Sequence, residues 1–358
     1  MKHTLCALAL LAGLAAAAGA DPLDRPAQAS ALAEKRLITG IAHAGAKRLV
    51  AVGQRGHILF SDDDAQSWKQ ATKVPVSSDL TAVQFVDAKT GFAVGHDGVV
   101  LGSSDGGESW IELLDGRAAN ALLLRHLQGL PAGKEREGLL AEAQRNADAG
   151  PDKPLLDLYF SSATEGFVVG AYNLIFETRD GGHSWQPWYE RVDNPKLLNL
   201  YAIRAHHGVL YIAGEAGLLL KLDPAAQRFT ALKSTYQGSY FGLVDTPAGL
   251  IAFGMRGNAL LSRDEGASWQ PLATQLQASV TGAAQAADGS VLLADQSGGI
   301  ALSDDGGASF ARVPVAAAMP LAALAVTPAG LALGGPRGLR AMALPSSRLQ
   351  ETPNGTRP

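Results

Sequence analysis

Short apolar runs of four to seven residues, stopped again and again by glycine, recur along this chain, and the stops are periodic. Seven times one run ends on Gly-x-x-Gly or a variant of it and a second run follows. The pairs are Gly53 and Gly56, Gly95 and Gly98, Gly170 with Asn173, Gly214 and Gly217, Gly254 and Gly257, Asp295 with Gly298, and Gly335 and Gly338. The intervals between their first members are 42, 75, 44, 40, 41 and 40 residues, one period once an insertion of about 33 residues is taken out of the second. Runs this short are strand-length, and about four fit each period. In the second unit they fall at 80–86, 91–95, 98–103 and 109–114. The pattern predicts an all-β chain, a seven-bladed β-propeller of four-stranded blades over 36–344. No helical pattern follows the glycine pairs, so they read as hairpin turns rather than nucleotide loops. The seventh unit, 321–344, shows no evident fourth strand, and the segment 22–36 is the candidate to close the ring by adding to it.

The insertion, at about 117–150 between blades 2 and 3, changes period. Residues 118–130 and 135–149 read as two helices broken at Pro131-Ala132-Gly133, with Leu122, Leu123, Leu127 and Leu130 lining one stripe. It is expected to act as a lid or docking arm, or simply to pack on the rim. Residues 1–20 carry Lys2 and His3, then an apolar stretch, then Ala18-Gly19-Ala20, the order of a signal peptide. The mature chain is expected to start near Asp21 and to be periplasmic, with secretion the second choice. Its only cysteine, Cys6, falls in that leader, so no disulfide is expected. Without Lys2 the chain holds 29 Lys and Arg against 34 Asp and Glu, which argues against a nucleic-acid partner. Past the leader no apolar run approaches the ~20 residues of a membrane span. The polar tail 345–358 is expected to be disordered.

A second motif recurs downstream of the turns: Ser or Thr, any residue, Asp, any residue, Gly, any residue, Ser, then Trp or Phe. It stands at Ser103 to Trp110, Thr178 to Trp185, Ser262 to Trp269 and Ser303 to Phe310. It is looser at Ser61 to Trp68, where Ala65 replaces glycine, and eroded around Asp223. A short Asp side chain can accept backbone N–H bonds from its own turn while glycine supplies a positive φ, so the motif reads as a fold element. Asp62-Asp63-Asp64 resembles the start of a calcium loop, but no suitably placed Glu follows. The motif resembles the Asp-box, or BNR repeat, of sialidases, sortilin-like receptors and photosystem II assembly factors. With Thr90 to Gly95 and Glu165 to Gly170 ahead of two of the boxes, nearly all of 36–344 resembles the photosystem II stability and assembly-factor family. That resemblance implies a non-catalytic scaffold binding a protein partner, an envelope membrane-protein complex, with no cofactor.

In an up-and-down blade the Gly-x-x-Gly turns and the blade-to-blade connections share one face, and the Asp-boxes lie on the other. The candidate partner-binding rim is therefore Arg55, His96, Asp97, Tyr172, Glu215, Arg256 and Arg337, joined by Trp188 and Arg191 from a connection on the same face. The stretch 236–241 is expected to add aromatics there. Aligning the inner strands places Gly40, Ala82, Asp157, Ala202, Gly242, Gly282 and Ala323 at one position. Asp157 alone is not small and is the tunnel candidate, as a wetted acid or a catalytic one. The alternative reading is a carbohydrate-active propeller. It would use Arg55, Arg256 and Arg337 on a substrate carboxylate, and Asp157 with Glu215 as the acid pair, but no Arg-Ile-Pro motif occurs. No metal site is expected, since His206 and His207 should face opposite sides of a strand.

Overall fold

The computed structural model describes residues 21–315 and 317–344; the expected leader at 1–20 and tail at 345–358 lie outside the described residues. Seven antiparallel sheets follow one another in up-and-down order, six with four strands and the last with three. They span 38–70, 80–114, 155–187, 200–231, 240–271, 280–313 and 323–342, and are blades 1 to 7. Each blade's innermost strand packs on the next, and that of blade 7 packs on that of blade 1, so the ring closes.

The second strands of blades 2, 3, 5, 6 and 7 are buried at every residue, as in Gly91–Gly95 and Gly166–Gly170, and those of blades 1 and 4 at every residue but the first. Both faces of a blade are covered, which is why these runs are continuously apolar instead of alternating. Alternation reappears as a choice of neighbour. Ala93 joins the core shared with blade 1, while Phe92 and Val94 join the core shared with blade 3.

The Asp turns hold an aromatic residue in each of several such joints. In blade 2 the Ser109 backbone N–H and hydroxyl donate to the two oxygens of Asp105 at 3.0 and 2.5 Å, and Ser103 accepts the Gly107 N–H at 3.0 Å. The same bonds recur at Asp63, Asp180, Asp264 and Asp305. Trp110, Trp185, Trp269 and Phe310 then bury against the preceding blade. Only a small residue fits the box glycine. Gly182 sits at φ 89°, and a Cβ there would lie 2.7 Å from Leu113 of blade 2. Blade 1 manages with Ala65 at φ 67°.

Blade 7 corrects one expectation. The segment 22–36 contributes no strand to it; among the described residues it forms two short 3-10 turns, Pro22–Asp24 and Ala33–Lys35. It runs along the connection that leaves blade 1, with the Ala27 N–H on the Val74 carbonyl and the Ser77 N–H on the Pro22 carbonyl. It then seats buried Ala33 beside Ile38, Ala51 and Leu59 at the closing seam. Its backbone is thus bonded to the connection after blade 1 rather than to the edge of blade 7, and the Glu34 carbonyl passes so close to Gly338 that a Cβ there would meet it at 2.1 Å. The seam is filled mainly by Ala and short aliphatics, with the half-buried Trp68 at its edge.

The helical insertion forms as its sequence predicts, with α1 at Gly116–Gly129 and α2 at Lys134–Ala149. Asp115 caps α1 by accepting the Ala118 N–H at 2.7 Å. Ala119, Leu123 and Leu127 bury into the joint of blades 2 and 3.

The Asp turns make folding sensitive to acid. At Asp63, Asp180 and Asp264 the following serine hydroxyl, then its backbone N–H, holds the carboxyl below its ordinary value, to about 2 at Asp63. A carboxyl depressed in the folded state stabilises above its unfolded value and stops doing so as pH falls through the folded one. Stability should therefore be full above about pH 4 and drop toward about pH 2. An Asp63→Asn variant should be less stable than the parent near neutrality, and their urea midpoints should converge in acid. A gap independent of pH would show that the carboxylate charge is not what holds the turn.

Candidate functional site

The open face is built on turns whose backbone is bonded across blade joints. The second turn residue is left-handed without being glycine: Arg55 at φ 59°, Asp97 at 58°, Tyr172 at 52°, Ala216 at 51° and Arg256 at 56°. Such residues are costly unless over-determined. Here the N–H of four of them is taken by the side chain that precedes the next blade's inner strand. Arg55 donates to Asp79 at 2.7 Å, Tyr172 to Asn199 at 2.9 Å, Ala216 to Ser239 at 3.4 Å and Arg256 to Ser279 at 3.3 Å. The carbonyl of that same residue accepts from its own blade's turn, as Asp79 does from His96 at 2.8 Å. One residue thus clamps two neighbouring turns. Sequence reasoning missed these clamps, although a polar residue just ahead of four of the inner strands, Asp79, Asn199, Ser239 and Ser279, was their visible mark.

The rim residues divide into free and engaged. Arg55, His96, Tyr172, Arg256 and Arg337 are exposed, with Tyr172 46% exposed and Lys153 Nζ 5.6 Å from its ring centre. Asp97 accepts the Ser78 hydroxyl at 2.6 Å, and Glu215 accepts the Asn199 N–H at 3.2 Å. Arg191 lies 5.1 Å over the Trp188 ring and 3.4 Å from Glu190. Trp188 does not belong to the rim. Only 3% exposed, it packs edge-on against Phe167 at 5.0 Å and donates its indole N–H to Glu177 at 3.0 Å, filling the joint of blades 3 and 4. Tyr189 is buried beneath the helical arm, Tyr240 is buried with its hydroxyl on Ser234, and Phe241 lines the tunnel. The expected aromatic surface is therefore mostly interior.

The arm is docked rather than free. His126 meets both Glu190 oxygens at 3.0 Å, and Arg136 donates to the last carbonyls of α1. Arg117 at the start of α1 reaches Asp21 and Asp24 at 2.6 and 2.9 Å, tying the arm to the N-terminal segment.

Along the axis the inner strands enclose a tunnel of about 410 Å³. Before its lining position each inner strand of blades 1 to 6 slips by one residue against its partner, and the extra residue reaches sideways. Thr39, Thr81 and Thr281 donate to carbonyls of the next blade at 2.6 to 2.7 Å. Tyr201 and Phe241 instead meet edge to face at 5.7 Å. The seven aligned residues do share one level, opposite Val52, Val94, Val169, Ala213, Phe253, Ala294 and Gly334.

Asp157, 5% exposed, is neither wetted nor free. It accepts the Ile203 N–H at 2.9 Å and pairs with Arg204 at 2.5 Å, both from blade 4. Burial pushes its carboxyl up, while Arg204 and the backbone bonds pull it down. Glu215 is not in the tunnel lining; Asp245, the other carboxylate there, is 2.6 Å from His206. His206 and His207 do not face apart. His207 is a turn residue at φ 48°, so strand alternation does not apply, and the two rings stack at 4.0 Å. Among the described residues no three metal-ligating side chains cluster.

A family model described as "Photosynthesis system II assembly factor YCF48" matches residues 26–114 and 141–294. Comparison with curated protein sequences returns no match. Among solved structures, the chain is similar to "YCF48 bound to D1 peptide", with 18% identity and a TM-score of 0.62 over 86% of this chain and 92% of that one. It is similar to YCF48 from Cyanidioschyzon merolae at 16% identity and 0.61, over 88% and 97%. It is also similar to the WD40 β-propeller domain of Doa1 at 10% identity and 0.60, over 89% and 95%. At such identities these structures speak to the fold alone.

If Asp157 is a latch between blades 3 and 4, Asp157→Ala should cost roughly 2–4 kcal/mol, because it strands a buried N–H and an arginine. Asp157→Asn keeps an acceptor for Ile203 and should recover part of that loss. Urea unfolding measures both, and an Ala variant as stable as the parent would disprove the latch.

Proposed function

The chain belongs to the photosystem II assembly factor YCF48 family, and on that premise we propose that it is an exported, non-catalytic scaffold holding a membrane-protein client on its open rim. The observation that carries this reading is the contrast at the Gly-x-x-Gly turns. Their backbone is held by repeating bonds, while the side chains they present change from blade to blade: Arg55, His96, Tyr172, Arg256, Arg337. A rigid scaffold whose exposed side chains vary freely suits recognition of an irregular protein surface. The solved YCF48 structure that carries a D1 peptide supports a protein ligand for this family's propellers. No helix of the described residues is long and apolar enough to cross a membrane. The client is an envelope complex of the host, and the working compartment is the periplasm, reached by the leader at 1–20.

The carbohydrate-active alternative is disfavoured by the tunnel chemistry. Its nominated acid, Asp157, is already committed to Ile203 and Arg204, and its nominated partner, Glu215, lies outside the tunnel lining.

Capture from solubilised membranes tests the reading. The native chain should retain a membrane protein, and the triple variant Arg55→Gln, Arg256→Gln, Arg337→Gln should lose at least about tenfold of that capture. Its stability should change by no more than about 0.5 kcal/mol at each exposed site. Undiminished capture, or release of sugar from a glycan panel with no protein retained, would reverse the conclusion. N-terminal sequencing of the periplasmic protein should begin near Asp21; a chain that keeps its first 20 residues in the cytosol would overturn the location.

A further inference from the structure

We infer that the vacant fourth-strand place on blade 7 docks an extended segment of the protein partner. The segment lies antiparallel to Gly338–Met342, with an acidic residue opposite Arg340 and an apolar residue on either side of it. This rests on the reading of the chain as a scaffold for a protein, and adds an edge and a chemistry by which such a partner is held.

Blades 1 to 6 each carry a fourth strand on the outer edge of the third, whereas blade 7 stops at the third, Gly338–Met342. In an antiparallel ladder, successive residues turn their backbone groups to opposite sides. The Gly334 carbonyl accepts the Ala322 N–H, so Gly334 faces the inner strand, while Leu333 and Gly335 face Arg340 and Gly338. The backbone groups of Leu339 and Ala341 therefore point outward. Among the described residues no strand pairs with that edge. The turn Ala33–Lys35 lies against its Gly338 end and leaves Arg340 and Ala341 exposed. A row of open backbone groups is a template for one more strand.

The neighbouring blade supplies a second, independent observation. Trp110, Trp185, Trp269 and Phe310 are at most 8% exposed. Each shares its core with an apolar residue on or just after the fourth strand of the preceding blade: Ala71, Leu113, Leu232 and Leu272. Trp68 of blade 1, whose preceding blade is blade 7, has no fourth strand to cover it and stays half-buried against Ala325 and Ala332.

The two faces of blade 7 set what the guest must offer. Leu339 and Ala341, the latter opposite Ala332, lie on the face toward blade 1 and Trp68. Arg340 and Met342, opposite Leu333 and Leu331, lie on the face toward blade 6. Guest residues opposite Leu339 and Ala341 thus fall on the side of Trp68, where an apolar side chain completes the joint. The residue between them falls beside Arg340, which donates to the Ala317 carbonyl at 2.9 Å and, among the described residues, meets no carboxylate. An acid there makes a favourable cross-strand pair. The same strand of a second copy, centred on Arg340, would set arginine against arginine.

The probe is a capped peptide, Ser-Thr-Val-Glu-Val-Thr-Ser, titrated into the full chain by calorimetry and by iodide quenching. Trp110, Trp185, Trp188 and Trp269 are buried, so quenching reports mainly on Trp68 and should fall as the peptide binds. Lysine in place of the glutamate should weaken binding about fivefold, and Arg340→Glu should reverse that preference. Methylating both valine amides, which face the edge, should cost about tenfold. Ala341→Pro removes an outward N–H and spares the ladder to the second strand, so it should cost about fivefold; if it fails to fold, Arg340→Glu at its exposed site carries the test. No binding at about 1 mM peptide, equal binding of the glutamate and lysine peptides, or no loss on methylation would each overturn the proposal. Binding seen only after removal of 345–358 would give the place to the chain's own tail, and a dimer dispersed by the peptide would give it to a second copy; either refutes it. The triple arginine variant used for client capture changes no residue of 338–342 and should bind the peptide like the parent, so the two readings fail separately.

Discussion

Two-sided burial of the sheets is the constraint from which the rest follows. A blade whose second strand is buried on both faces along nearly its whole length cannot stand with either face in water, so each must lie between two others and the row must return on itself. The joints are consequently the hydrophobic cores of the molecule, each shared by two blades. The Asp turns serve those joints by setting Trp110, Trp185, Trp269 and Phe310 into the preceding blade. Where the last blade stops at three strands, the ring is completed by alanines, leucines and isoleucines, the buried methyl of Ala33 among them, instead of a further strand.

Polar bonds across the joints complete what apolar packing begins. Near the tunnel the hydroxyls of Thr39, Thr81 and Thr281 and the carboxylate of Asp157 reach into the following blade. At the rim Asp79, Asn199, Ser239 and Ser279 hold the preceding turn by its backbone. Since these bonds involve the backbone of the turn and not its side chain, recognition chemistry varies without disturbing the ring. The arm adds asymmetry: docked over blades 2 and 3 through His126 and Glu190, it covers one sector and leaves the remaining turns accessible.

Features written in short, repeated stretches were legible before any coordinates. Blade number, the Asp turns, the level of the seven aligned inner-strand residues and both helices follow from spacing and turn chemistry, and α1 at Gly116–Gly129 lies within two residues of its expected start. Trp188 was misread because a connection between blades looks exposed in sequence, while its burial depends on Phe167 and Phe229 arriving from two different blades. Asp157 looked like an anomaly because its partners stand 46 and 47 residues away.

By itself the sequence determined how many sheets form and where each turns, since these depend on periodic apolar runs and on residues that bond within their own turn. Only the tertiary structure decided which polar groups were already satisfied and which were left open. It committed Asp157, buried Trp188, kept residues 22–36 out of the last sheet and left His57 Nδ1 buried without a partner. Those outcomes depend on segments brought together by ring closure, and no local pattern encodes which distant backbone will arrive.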